Sequence, residues 1–353
     1  MLLLTDEYVS MAHGAGGSVM DSLIKKYMLK YLGGSSAEVP LEALDDAAVI
    51  SGIVLKSDSY TVKPLFFPGG DIGRLAVAGT VNDIAALGAE PLALAAGFVI
   101  EEGFPLSDLE RILSSMEKTC KEAGVAVITG DTKVVERGAL DKFIVNSSGI
   151  GRRSPLLDKN LKEVNRYRKC DAQWLLDSNL RAGDDIILSG PIGDHGIAVL
   201  SAREGYGFIT KVESDAAPLN HMIEKALEIG GVVSIKDPTR GGLANLLNEW
   251  SEKSNVGILV RDGKIPVHVG VRAACEMLGL DPMELGNEGK VALAVVPEKS
   301  AQALAALRRT DYGREAEIVG HATDEFNLVA VETSVGGRRI LSKPIGDPVP
   351  RIC

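Results

Sequence analysis

Strand-like apolar runs alternate with helix-like stretches twice in this chain, and the alternation breaks off once. The first run extends from Leu44 to Gly151 and the second starts at Gly183. Two such runs predict two layered domains, one over residues 1–152 and a second, again α/β in its pattern, over 183–340. The 353 residues, 45% of them apolar, suffice for two cores. Between the runs, residues 153–182 are polar and rich in Lys and Arg, and read as a linker with room for a short helix and a solvated basic face. A proline-rich tail over 341–353 completes the layout. The formal charge of −10 argues against nucleic acid or an anionic membrane surface as partner. No apolar run approaches the roughly 18 residues of a membrane span, and the acidic start of the chain is unlike a signal peptide. Cys120, Cys170, Cys275 and Cys353 stand far apart, which suits reduced thiols in a cytoplasm better than a zinc site or a disulfide framework.

In the first run, His13-Gly-Ala-Gly-Gly17 precedes a helical stretch from Val19 to Tyr31. Glycines there leave amides free at a positive helix end, which fits an anion or an ordinary turn. Neither of the common glycine-rich phosphate loops occurs in the chain. Asp45-Asp46 opens a predicted strand, and a second strand, Ile53 to Asp58, ends on an aspartate. Asp71 is placed to cap a helix running to Gly88, with Asn82-Asp83 in its apolar interior. Ser107–Glu110 has the spacing of a capping box for the next helix, on which Cys120 falls on the core face. The strand Val125–Thr129 then delivers Gly130-Asp131-Thr132-Lys133. Asp46, Asp58, Asp83 and Asp131 thus lie in or at the ends of apolar elements. They read either as caps and surface ion pairs or as carboxylates for a hard cation such as magnesium, with Lys133 reaching a phosphate oxygen.

In the second run, Gly193-Asp-His195-Gly196 opens a helix expected to reach about Glu204. Asp237-Pro-Thr-Arg240-Gly-Gly242 presents turn amides and one guanidinium toward an anion, and Cys275 falls on a core face. Glu288, between Gly286-Asn287 and Gly289, is a carboxylate in a turn, suited to a catalytic base or merely solvated. Pro344, Pro348 and Pro350 exclude helix and central strand from the last ten residues. That stretch is either a frayed end or an extended arm of roughly 30 Å that carries the thiol of Cys353 between surfaces.

Taken together, His13–Gly17, Asp45–Ala48, Val81–Ala89 and Gly130–Lys133 resemble the aminoimidazole ribonucleotide synthetase superfamily, which also holds thiamine-monophosphate kinase and selenophosphate synthetase. Gly193–Gly196, Asp237–Gly242, Gly286–Gly289 and Pro350-Arg-Ile-Cys353 narrow the likeness to the HypE carbamoyl dehydratases of hydrogenase maturation. The resemblance spans the chain, with an intervening segment, Leu156 to Leu180, longer than the family pattern. It implies the two-domain synthetase-like fold, α/β plus α+β with an extended C-terminal tail, and a homodimer formed through the N-terminal sheets. ATP and magnesium are the implied cofactors. A carbamoyl group on Cys353 would be dehydrated to a thiocyanate, with HypF as carbamoyl donor and the HypC–HypD complex as cyanide acceptor. Carried over, Asp45, Asp46, Asp58, Asn82, Asp83, Gly130, Asp131 and Thr132 bind the nucleotide. Asp46, Asp58, Asp83 and Asp131 hold the metal, Lys133 clamps phosphate, Glu288 is the base with His13 behind it, and Arg240 holds the carbamoyl group or a phosphate. Selenophosphate synthetase is the nearest rival, but no cysteine stands near His13; thiamine-monophosphate kinase has no use for a thiol arm. A nucleotide-dependent scaffold would not need carboxylates in apolar surroundings.

Overall fold

The computed structural model describes residues 8–203 and 208–346. Cys353 and the expected helix end near Glu204 lie outside them. The chain enters through helix α1 (Gly17–Leu23), which continues through a wider turn to Leu32. Strands β1 (Ala48–Ile50) and β2 (Ile53–Tyr60), helix α2 (Ile72–Ala86), strand β3 (Ala89–Glu101), helix α3 (Leu106–Ala123) and strands β4 (Val127–Val135) and β5 (Phe143–Arg153) follow. These strands form a five-stranded sheet in the order β1-β2-β5-β3-β4, antiparallel except where β3 and β4 run parallel.

Along β2 the burial alternates as a strand with one covered face must. Val54, Lys56, Asp58 and Tyr60 turn toward α2, while Ile53, Leu55, Ser57 and Ser59 turn away. Helix α2 is apolar nearly all round and, except at Arg74, buried from Ile72 to Ala86, because it lies between this sheet and the second domain. Its fully buried Leu75, Val81 and Ile84 contribute roughly 1.5–3 kcal/mol each. Two glycines on β5 let the helix lie this close. A Cβ at Gly149 would stand 2.7 Å from Ile84 Cδ1, and one at Gly151 only 2.4 Å from Ile84 Cγ2. Asp71 caps α2 as expected, accepting from the amides of Gly73 (2.8 Å) and Arg74 (3.0 Å). The expected capping box at Ser107 does not form. Helix α3 starts two residues earlier, with Pro105 in the N-cap position that Ser107 was expected to hold.

Helix α4 (Pro155–Val164) opens the stretch expected to link the domains, and that stretch is packed rather than loose. Leu157, Leu161, Val164, Trp174, Leu175 and Leu180 are buried. The sequence hid this because its polar residues supply contacts as well. Asn160 exchanges two hydrogen bonds with the backbone of Val232, and Arg168 grips buried Asp184 with both guanidinium nitrogens at 2.6 and 2.9 Å.

The second domain contains strand β6 (Asp185–Leu188), helices α5 (Asp194–Ser201) and α6 (Asn220–Ile229), strand β7 (Val232–Lys236) and helix α7 (Gly242–Ser254). Strand β8 (Gly257–Arg261), helix α8 (Val269–Leu278), strand β9 (Ala292–Val295), helix α9 (Pro297–Leu307) and strands β10 (Glu317–Thr323), β11 (Val329–Glu332) and β12 (Arg338–Ile340) complete it. They make a seven-stranded sheet, β12-β11-β8-β10-β6-β9-β7, with one parallel pair, β8 and β11. Strand β7, buried throughout, lies at the sheet edge beside the first domain's helix α2. Cys120 and Cys275 are core residues, as their helical spacing predicts. No helix among the described residues is long and apolar enough to cross a membrane.

Candidate active site

Between the covered face of the first sheet and the start of α7 lies a cavity of about 500 Å³, within the range of small-ligand sites. Met20, Ile24, Leu44 and Leu246 line an apolar part, and charged groups line the rest. Period-two alternation puts Lys56 and Asp58 on the covered face of β2, where Lys56 Nζ reaches Asp83 on α2 at 2.7 Å and Asp58 at 3.3 Å. From the other domain, Lys236 ends strand β7 and pairs with Asp46 at 2.6 Å. Asp237 follows it. Asp46, Asp83 and Asp237 each offer an oxygen within 4.8 Å of the others.

Three carboxylates this close, and mostly buried, resist ionisation. Burial first, and then mutual repulsion, hold Asp83 well above the usual carboxylate range and push Asp237 up to about 7. Burial raises Asp46 against the pull of Lys236. Burial would raise Asp58 as well, but Lys56 and a hydrogen bond from Asp83 outweigh it and leave Asp58 low. Such an oxygen-only, charge-crowded set suits a hard divalent cation, which would relieve the repulsion.

Glu288 closes another wall of the cavity. Its carboxylate is buried, one oxygen has no hydrogen-bond partner among the described residues, and burial raises it well above the ordinary range. The loop that presents it is pinned from behind. Its amide donates to Asp215 at 3.1 Å, and a Cβ at Gly289 would stand 1.7 Å from the Asp215 carbonyl oxygen. Buried Asn287 ties three turns together, accepting from the Gly193 amide (2.7 Å) and donating to the carbonyls of Pro238 (3.2 Å) and Leu285 (2.9 Å).

The glycines at the start of α1 serve close backbone packing. Gly16 (φ +79°) and Gly17 (φ +69°) let backbone approach backbone: a Cβ at Gly16 would meet the Arg240 carbonyl at 3.0 Å, and one at Gly17 the Pro344 carbonyl at 2.0 Å. The amide of Ser18 donates to that same Pro344 carbonyl at 3.1 Å. Lys343, beside it, pairs with Asp21 at 2.6 Å and Glu252 at 3.1 Å. Residues 343 and 344 are therefore fixed beside the cavity mouth, where Gly16, Gly17 and Asp21 form part of the wall.

Residues 44–153 match the family model of the AIR synthase related protein N-terminal domain, and residues 181–332 match that of its C-terminal domain. A hydrogenase expression/formation protein of Methanocaldococcus jannaschii is 49% identical over 98% of this chain and 99% of its own. The carbamoyl dehydratases HypE of Azotobacter vinelandii and Escherichia coli are 43% and 37% identical over 98% of this chain, covering 97% and 99% of their own. The chain belongs to the HypE family. Among solved structures, a HypE–HypF complex matches with TM-score 0.82 and 44% identity over 92% of this chain and all of that one. HypE in complex with ATP matches with TM-score 0.78 and 41% identity over 98% and 100%. The two-domain synthetase-like fold implied by the sequence is the one found.

In this HypE-family chain the cavity gathers Asp45, Asp46, Asp58, Asp83, Arg240 and Glu288 out of the residues singled out in the sequence. It does not gather Gly130, Asp131, Thr132 or Lys133. The sequence places them after a strand, but they lie inside β4, an exposed edge strand. Register puts Asp131 in one row with Gly97, Asn146 and Ser59, on the face turned away from α2, where it pairs with Lys133 at 2.7 Å. In the three-carboxylate set, Asp237 therefore stands where Asp131 was expected, and Asp58 stands beside the set, tied to Lys56. Asn82 does not line the cavity: its side chain accepts from the Leu219 amide (2.7 Å) and donates to the Ala217 carbonyl (3.0 Å), clipping α2 to the second domain. His13 is buried away from the cavity wall, with Nδ1 bonded to the Ser10 amide (3.0 Å) and hydroxyl (2.8 Å). His195 is a packing residue, bonded to Ser214 and edge-on to Phe67. Sequence reasoning missed Lys56, Lys236 and Asp237 as wall charges. Two signals were available: Lys56 and Asp58 are two apart on one strand and so share a face, and Lys236-Asp237 ends an otherwise uncharged apolar strand.

Proposed function

We propose that this chain, a carbamoyl dehydratase of hydrogenase maturation by family, uses ATP to convert a carbamoyl group carried on the Cys353 thiol into a thiocyanate. That group would supply the cyanide ligand for the iron of a nickel–iron hydrogenase. The observation that carries the reading is the fixed position of Pro344 at the mouth of the carboxylate-lined cavity. Cys353 lies nine positions further along the chain, enough for roughly 30 Å of extended backbone, so the thiol can reach the cavity floor.

The chemistry needs an activated oxygen and a proton acceptor. The carbamoyl oxygen attacks the γ-phosphorus and ADP leaves. The C–O bond then breaks with the oxygen departing on phosphate, both N–H protons are lost, and a C≡N bond forms. S-carbamoyl-cysteine plus ATP thus gives S-cyano-cysteine, ADP and phosphate. Glu288, buried on the cavity wall with an unpartnered oxygen, is the group suited to take an amide proton. Arg240, on the same wall, would hold phosphate or the carbamoyl group. Asp46, Asp83 and Asp237 would hold magnesium, which neutralises charge on the transferring phosphoryl group.

HypF as carbamoyl donor is supported by the solved HypE–HypF complex of a relative; HypC–HypD is proposed as the acceptor. The face of the first sheet turned away from α2 exposes Ile53, Leu55 and Ile150, which supports a homodimer closed through these sheets. Asp131 and Lys133 share that face, so a role for them in nucleotide binding belongs to the neighbouring subunit's cavity. A cytoplasmic setting fits the free thiols of Cys120, Cys170 and Cys275.

The test is the intact mass of the C-terminal peptide after incubation with HypF, carbamoyl phosphate and ATP, with and without magnesium. Carbamoyl should appear on Cys353, followed by loss of one water only with ATP and magnesium present. A Cys353 that stays unmodified beside a competent HypF would overturn the reading.

A further inference from the structure

The segment between the domains carries one buried carboxylate, Asp177, 1% exposed. Its Oδ1 accepts from Trp250 Nε1 at 2.9 Å, and its Oδ2 accepts from Lys253 (2.7 Å) and Lys236 (3.1 Å). Its own amide donates to Asp45 Oδ1 at 2.9 Å. Lys253 also donates to the Leu44 carbonyl at 2.6 Å. Asp177 therefore holds the loop bearing Asp45-Asp46 from one domain and the strand end bearing Lys236-Asp237 from the other. Within that arrangement Lys236 is shared. It faces Asp46 (2.6 Å) and Glu249 (3.3 Å) on the cavity wall and Asp177 (3.1 Å) behind it.

We propose that Asp177 is a positioning residue that sets the magnesium affinity of the Asp46–Asp83–Asp237 set by competing with Asp46 for the Lys236 ammonium and anchoring the Asp45-Asp46 loop. An ammonium and a divalent cation compete for the same carboxylate. At these separations and this burial their interaction is strong, so a small shift of Lys236 changes how much charge Asp46 can offer. Removing the Asp177 charge leaves Lys236 with Asp46 and Glu249 alone, and the ammonium then acts as a built-in competitor. The interdomain segment contributes to the site through this one side chain, although none of the segment lines the cavity.

The inference rests on the magnesium reading above, and its test separates the two. ATP binding to the full-length protein is followed by calorimetry against magnesium concentration, a measurement that needs no turnover. In Asp177→Asn the magnesium concentration giving half-maximal enhancement should rise by about tenfold or more, while ATP binding without magnesium holds or tightens. Lys253→Met should act in the opposite sense. Asp177 then has one ammonium fewer and pulls Lys236 harder, so less magnesium is needed. A purely structural role would weaken both kinds of binding in both variants. If the wild type shows magnesium-dependent ATP binding and both variants match it, or both shift the same way, the role of Asp177 is overturned. If the wild type itself shows no magnesium dependence, the metal reading falls and the inference falls with it.

Discussion

The two faces of the first sheet carry aspartate–lysine pairs of the same composition and opposite character. On the covered face, Asp58 and Asp83 share Lys56 within a cavity wall, and the crowding of Asp83 with Asp46 and Asp237 keeps protons on groups that would shed them in water. On the open face, Asp131 and Lys133 form an exposed pair at 2.7 Å, each about two-thirds exposed, where solvent screens the attraction and the pairing adds little stability. Both aspartates lie on apolar strands, and a single residue of register separates the two environments. An acidic residue in an apolar run is informative only together with its parity along the strand.

The largest expected effect breaks the covered face. Asp83→Asn should lower ATP-dependent dehydration by about 100-fold or more, the scale on which a transition-state-stabilising group is lost, in single-turnover assays on S-carbamoylated protein. A fall of less than tenfold would remove Asp83 from the cation set.

A sharper probe sets one face against the other. If Asp131 serves a neighbouring subunit, Asp83→Asn and Asp131→Asn chains are each poorly active, yet mixed dimers hold one intact composite site. Random reassociation should then restore about a quarter of wild-type turnover, since half of the dimers are mixed and each carries one good site of two. No recovery on mixing would place Asp131 outside the partner's cavity.

The smallest effect concerns protons. Asp45, raised to about 6 by burial and then by Asp177, and Asp237, raised to about 7 by burial and then by Asp46, keep protons in the folded state that the unfolded chain releases near 3.8. Between pH 4 and 7 the native state binds more protons, so the stability of magnesium-free protein falls as pH rises through this window. Carboxyls lowered by folding, Asp58 and Asp177 among them, act below the window. The Tm without magnesium should be lower at pH 8 than at pH 5. In Asp237→Asn that difference should shrink by about 3 °C. An equal difference in wild type and variant would mean that Asp237 is not the group responsible.

Much of the fold was legible because its strands and helices keep their periods: α2 with its Asp71 cap and the core faces holding Cys120 and Cys275 follow from spacing alone. Asp83 stood out for the same reason, as a charge inside an apolar helix. What escaped depended on contacts far apart in sequence. Polar residues of the 153–182 stretch conceal six buried apolar side chains, and Asp177 looks like any loop aspartate until Lys236 and Lys253 arrive from 59 and 76 residues away. His13 and Asn82 have the residue types of ligands, but the first is bonded through Nδ1 to Ser10 and the second to residues 217 and 219 far along the chain.

The bond from the Ser18 amide to the Pro344 carbonyl joins the opening helix to nearly the last described residues. During synthesis the ribosome releases helix α1 more than 300 residues before the segment that fixes it, so its docking is among the last steps of assembly. Until then its Tyr27, Met28 and Tyr31, partly exposed even in the finished fold, lack the strap that holds the helix in place. A chain stopped short of Lys343 would lose the Asp21 and Glu252 pairs together with this bond. The cell would meet it as a protein with a loose first helix as well as a missing end, which gives quality control a way to recognise unfinished copies.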